Sequence, residues 1–182
     1  MFDWLGSRLP ACRLVVVDES GVELGAPSRM ARSMRGTRAH VEAPVRGKRM
    51  SMVGAVRVEG LVDLQLFDGH SDTQLFEHWV CHHLAPKLRR GDIVLMDNSS
   101  IHKSEATKSA IEAAGAELLF LPPYSPEYSP IESFWGKLKE LTRRLAARTT
   151  DMMVKAAAEA LMAITDQDMR AWFKHCGWTQ LD

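Results

Sequence analysis

The stretch Ile93-Val94-Leu95-Met96-Asp97-Asn98 sets four consecutive apolar residues against an acid, and Leu14-Val15-Val16-Val17-Asp18 does the same 97 − 18 = 79 residues earlier. Short unbroken apolar runs are the pattern of strands covered on both faces. Between them, Ser51 to Val58 and Leu61 to Phe67 read as two strands turning at Glu59-Gly60, which makes a meander. Leu75, Phe76, Trp79, Val80 and Leu84 recur at helical spacing, so a helix is expected over Thr73 to Ala85, stopped by Pro86. Lys103 to Ala114 reads as a helix ended by Gly115, and Glu117 to Leu121 as a fifth strand. Pro122, Pro123, Pro126 and Pro130 then stiffen the connection to a helix whose buried stripe is Ile131, Trp135, Leu138, Leu141 and Leu145. Val154 to Ile164 and Met169 to His175 predict two more helices. The result is an α/β domain, strand-strand-strand-helix-strand-helix-strand, followed by helices.

The chain has 182 residues, the length of one domain, and 23 basic against 23 acidic residues give no net charge, which excludes a wholesale polycation. No apolar run approaches the roughly 18 residues that span a bilayer, so no membrane partner is expected. The N-terminus lacks the basic and long apolar regions of a secretory signal, and the expected location is cytoplasmic. Cys12, Cys81 and Cys176 are an odd number without CxxC spacing, which argues against disulfides and structural zinc. Cys81-His82-His83 is a poor chelate, since adjacent helical residues point apart. Trp79 and Trp135 fall on apolar stripes and read as core rather than base-stacking residues.

Asp18 and Asp97, at the ends of two apolar strands, occupy the place where α/β sheets put ligand-handling groups. If the strands are parallel neighbours, the two carboxylates repel unless a divalent cation holds them. The plain alternative is that each caps its own turn. Glu132 is a third acid, inside the helix that opens Ser129-Pro130-Ile131-Glu132, a spelling that also reads as a capping box. The proline-rich lead-in fixes that helix start, which suits a ligand. His102 and Asn98 each carry two readings: contact with a phosphate or orientation of the site for the histidine, against a local hydrogen bond; a role behind Asp97 for the asparagine, against tolerance of the turn.

Three blocks carry a resemblance. Val17-Asp18-Glu19-Ser20-Gly21 with Arg35-Gly36-Thr37-Arg38-Ala39 is the first, and Leu95-Met96-Asp97-Asn98-Ser99-Ser100-Ile101-His102-Lys103 is the second. The third is Leu121-Pro122-Pro123-Tyr124-Ser125-Pro126-Glu127-Tyr128-Ser129-Pro130-Ile131-Glu132-Ser133-Phe134-Trp135. With 34 residues between Asp97 and Glu132 (132 − 97 = 35), they resemble the DDE-type transposases of the mariner superfamily, in particular the bacterial insertion-sequence branch, over roughly residues 14 to 145. The family more often has asparagine where Ser129 stands. The resemblance implies a ribonuclease-H-like fold, a five-stranded mixed sheet flanked by helices. It implies a short lead over 1–13 and a catalytic domain over 14–182. It also implies Asp18, Asp97 and Glu132 as the catalytic residues, holding two Mg²⁺ or Mn²⁺ ions for DNA cleavage and strand transfer at insertion-sequence ends. Asn98 and His102 become candidate supports behind those ligands.

The expected partner is double-stranded DNA, the element ends and the target, in a nucleoid-associated bacterial setting. Arg29, Arg32, Arg35, Arg38, Arg46, Lys48 and Arg49 against Glu42 give a local charge of 7 − 1 = +6, suited to phosphate contacts, or else a solvated loop. Lys137, Lys139, Arg143, Arg144 and Arg148 read mainly as a solvent face. Family members carry an N-terminal helix-turn-helix, whereas only about a dozen residues precede the first strand here. The chain then reads as the second product of a split reading frame, an isolated catalytic domain or the remnant of a decayed element, with a separate helix-turn-helix polypeptide as a candidate partner; a homodimer on DNA is also expected. The competing reading is a non-catalytic DNA-binding or dimerising fragment that modulates an intact transposase.

Overall fold

A computed structural model of the chain describes residues 9–26, 33–38 and 47–179. Five strands, β1 (Leu14–Glu23), β2 (Arg49–Arg57), β3 (Gly60–Asp68), β4 (Ile93–Met96) and β5 (Glu117–Phe120), form one sheet in the order β3-β2-β1-β4-β5. β1–β2 and β2–β3 pair antiparallel, whereas β1–β4 and β4–β5 pair parallel, so the sheet is mixed as expected. Five α-helices flank it: α1 (Thr73–Trp79), α2 (Glu105–Ala113), α3 (Pro130–Arg144), α4 (Thr150–Met162) and α5 (Asp166–His175).

Alternation along β1 sends its residues into two separate cores. Leu14 and Val16 pack with Phe134, Trp135 and Leu138 of α3, Met153 and Ala156 of α4, and Phe173 of α5. Val15 and Val17 pack with Phe76 and Trp79 of α1 and Ile111 of α2. Trp79 and Trp135 are buried, in keeping with their place on apolar stripes.

The structure corrects several boundaries. β1 runs on to Glu23, so Asp18 lies within the strand rather than at its end; it marks instead where pairing with β4 stops, the last parallel pair being Val16–Leu95. The first helix keeps α geometry only to Trp79, widens into a π-turn over Val80–Leu84, and closes in a short 3₁₀ turn over Ala85–Lys87 that contains Pro86. After Asp97 a 3₁₀ turn, Ser100–His102, precedes α2, which starts later than Lys103 because Ser104 caps it through Thr107 N. α4 and α5 begin earlier than their apolar periods suggest, set by the caps Thr149 and Thr165, the latter in a capping box with Asp168. On α3 the buried stripe includes Phe134 and Thr142, while Leu145, at the C-cap, is exposed.

The bottom of the sheet is tied by buried charge. Arg57 Nη2 donates to Asp92 Oδ2 at 2.8 Å, with both side chains almost fully buried, and Asp92 also accepts from Arg89 N at 2.7 Å. Removing one member of such a pair strands the other charge without solvent. Asp92→Ala is expected to lower unfolding free energy by about 3 to 5 kcal/mol in urea titrations. Glu59→Ala, which breaks the exposed Arg89–Glu59 pair, is expected to cost under about 1 kcal/mol.

Candidate active site

Asp18, Asp97 and Glu132 line one open cleft of about 550 Å³, together with Asn98, Lys103 and the loop Leu121–Pro126. Each arrives by a different route. Asp18 points to the same face as Leu14 and Val16, and Trp135 Nε1 of α3 donates to its Oδ2 at 3.0 Å. Asp97 follows the last residue of β4, and Glu132 stands in the first turn of α3, exposed to the cleft. The acids sense one another. Burial first, then the negative charges of Glu19, Glu132 and, more weakly, Asp97, push the Asp18 carboxyl up from 3.8 to about 7 against a lowering backbone hydrogen bond at Glu19. Among the described residues no three His, Cys, Asp or Glu side chains stand close enough to grip a single ion in this conformation. The acids face a shared space without closing on one point.

The capping alternatives divide. Asp97 does cap its turn: Oδ1 accepts from Ser99 N at 2.9 Å. The capping box at the start of α3 does not form, because the Ser129 side chain makes no capping bond and the helix begins on Pro130 at its first position. Glu132 N bonds instead to the Ser129 carbonyl at 3.2 Å. The Glu132 carboxylate is thus free of the local role that its spacing suggested. The helix start survives serine in place of asparagine, by proline geometry and not by a serine cap.

His102 is fully buried, which removes it from direct contact with a phosphate. Its Nε2 lies 2.6 Å from Glu19 Oε2 and its Nδ1 2.6 Å from Asp97 Oδ1, the second contact being too oblique for an aligned hydrogen bond. Burial lowers the basicity of the ring, but the two carboxylates prevail and raise its pKa from 6.5 to about 9. Reciprocally, the close approach of the His102 ring holds the Asp97 carboxyl below its usual range. The ring also packs on Phe76, 4.5 Å between centroids. Glu19 was missed in the sequence; its signal is the alternation of β1, which sends it to the opposite face from Asp18. The Asn98 amide is committed to the proline-rich loop. It donates to the Leu121 carbonyl and, with Leu121 N bonded to Met96 O at 2.8 Å, ties the proline-rich loop to the end of β4.

Of the basic segment, Arg29, Arg32 and Arg46 lie outside the described residues. Arg35, Arg38, Lys48 and Arg49 are exposed, and Lys48 pairs with Asp68 at 2.6 Å. On α3, Lys137 is less a solvent-face charge than a tie to α5, 2.6 Å from Asp168, while Arg144 pairs with Glu140 one turn away. Lys103 is the overlooked cation: exposed, it lines the cleft, with its ammonium 6.0 Å from the Phe120 ring centroid.

A Mos1 transposase paired-end complex with left transposon end superposes with a TM-score of 0.76 at 19% identity, over 94% of this chain and 55% of that one. A Mos1 mariner paired-end complex with Mn matches at 0.76 and 18% identity, over 96% and 56%. The catalytic domain of Mos1 mariner transposase matches at 0.68 and 16%, over 96% of this chain and 84% of that one. The chain thus spans just over half the length of the Mos1 chains in the complexes, and it shares their ribonuclease-H-like sheet and flanking helices. No curated protein matches it in sequence. The DDE superfamily endonuclease model matches residues 13–153, the span that contains all three acids, and the chain belongs to that family.

Proposed function

We propose that this chain is the catalytic domain of a transposase, cleaving DNA and joining the freed ends to a target, with Asp18, Asp97 and Glu132 as its metal ligands and catalytic residues. The observation that carries the reading is the meeting of these three acids, distant in sequence, in one cleft at the edge of a sheet whose family acts as endonucleases. The donor set fits a hard divalent ion: it is all carboxylate, and a cation would offset the burial and the neighbouring negative charges that together push the Asp18 carboxyl up to about 7. Mos1 structures carry Mn or Mg, and Mg²⁺ or Mn²⁺, two ions per site, is the proposed complement here. When bound, such a pair activates the attacking water or 3′-hydroxyl and stabilises the leaving oxygen.

The chain's own groups supply the remainder. Lys103, exposed in the cleft, offers a positive charge to a phosphodiester, and Arg35, Arg38 and Arg49 offer more to the flanking duplex, as would Arg29, Arg32 and Arg46. Asn98 holds the proline-rich loop against β4, and His102, as an imidazolium between Glu19 and Asp97, fixes which way Asp97 faces. A homodimer on DNA and a separate recognition polypeptide complete the proposed assembly.

The buried charges give two separable pH windows in chelator-treated protein. Both folded pKa values lie above their unfolded values, so each group's stabilisation is present at low pH and lost as pH rises. For Asp18 the loss runs between about 4 and 7, and for His102 between about 6.5 and 9. In urea titrations, Asp18→Asn is expected to flatten the lower window and His102→Gln the upper one. Function is tested by nicking of supercoiled plasmid with Mn²⁺. Asp97→Ala is expected to lose at least a thousandfold in rate, and the parent is expected to join donor ends to target DNA. Equal nicking by parent and Asp97→Ala leaves the non-catalytic fragment as the better reading, and nicking without joining points to a nuclease of different biology.

A further inference from the structure

We infer that Trp135 is a positioning residue for Asp18, and that Gly54 is the seat that lets it be one. The inference rests on the proposed role of Asp18 as a ligand. Trp135 lies one helical turn beyond Glu132 on α3, so a single helix carries one acid and holds the carboxylate of another. Its Nε1 donates to Asp18 Oδ2 at 3.0 Å while the indole is buried against the sheet. An indole N–H only donates, so this bond holds one carboxylate oxygen and leaves Oδ1 uncommitted to the ring.

The sheet is shaped for this ring. Asp18 stands directly opposite Gly54 in the β1–β2 register, and residues so paired project to the same face. A Cβ built on Gly54 would lie 2.8 Å from Cη2 of Trp135, closer than real Cβ contacts allow, with Leu64 Cδ1 and the Asp63 carbonyl at 3.4 Å on its other sides. Glycine in a central strand weakens it, and here its missing side chain is occupied by the outer ring of the indole. The ring that fills the space is the ring whose nitrogen reaches Asp18. A purely packing role for Trp135 accounts for its burial but not for the direction of Nε1.

Two substitutions separate positioning from packing. Trp135→Phe keeps an aromatic ring but removes the N–H and the outer ring. Gly54→Ala keeps the tryptophan and displaces it. Mn²⁺ affinity is read by the electron paramagnetic resonance of free Mn²⁺, together with the Mn²⁺ concentration for half-maximal nicking, KM for DNA and the thermal midpoint. Both single variants are expected to weaken Mn²⁺ binding about tenfold or more with KM for DNA unchanged. Adding Gly54→Ala to Trp135→Phe is expected to cost little further, because the atom it strikes is gone. In the parent, the Trp135 indole N–H resonance is expected to shift on Mg²⁺ addition. Variants that bind Mn²⁺ as the parent does, with only the thermal midpoint lowered, overturn the inference while leaving Asp18 as a ligand. Asp18→Asn that nicks and binds Mn²⁺ like the parent overturns both.

Discussion

Carboxylates gathered at one edge of a sheet repel, and much of this structure is arranged to keep three of them there. The parallel pairing of β1 with β4 brings Asp18 and Asp97 to the same end, and α3 returns across that face to add Glu132. Left to themselves, the acids would turn to solvent or take up protons; burial first, and then the nearby negative charges, push the Asp18 carboxyl in the second direction. Opposing it are a small number of fixed groups: the Trp135 indole N–H on Asp18, and the Ser99 amide and the close His102 ring on Asp97. Glu132 alone is held only by its backbone and stays exposed. The helix start therefore matters most for Glu132, and that start is built from Pro130 and from the tethers on its lead-in.

Those tethers reach far. Asn98 bonds the Leu121 carbonyl, and Trp178, near the C-terminal end of the described chain, donates through Nε1 to the Tyr128 carbonyl at 3.0 Å. The proline-rich segment is thus pinned at its entrance by β4 and near its exit by the region after α5. Prolines restrict the segment's own dihedrals, but they do not place it; the placement is done by side chains of other elements. Tyr124, within this loop, has φ +57 and is fully exposed at the cleft, a backbone conformation that costs energy for a side chain of its size.

Features that depend on neighbours in sequence were legible. The apolar runs located β1 and β4, Glu59-Gly60 located the hairpin, and the three blocks with their spacing located the acids. What the sequence hid were partners brought by the fold. Nothing near Asp18 in the chain announces Trp135, 117 residues away, and the stripe pattern of α3 classed that tryptophan as core without showing where its nitrogen goes. The capping box at Ser129 was a false local signal, because proline at the first position already secured the helix start. Asp18 was misplaced as a strand end because polar residues follow it; β1 continues through Glu19, Ser20 and Gly21 as the antiparallel partner of β2 after its parallel partner has ended.

That continuation explains how neighbouring acids acquire opposite duties. Asp18 and Glu19 are adjacent on a strand, so they emerge on opposite faces of the sheet. Asp18 enters the α3 side and meets an indole N–H, while Glu19 enters the α1 side and meets His102, which in turn reaches Asp97. The β1–β4 edge is thereby gripped from both cores at once, from one through Trp135 and from the other through His102. A register slip of one residue would exchange the two acids and lose both grips together. The long antiparallel pairing of β1 with β2, eight residue pairs from Val16–Val56 to Glu23–Arg49, fixes that register well beyond the short parallel contact with β4. The part of β1 beyond Asp18 is therefore what keeps Asp18 facing α3.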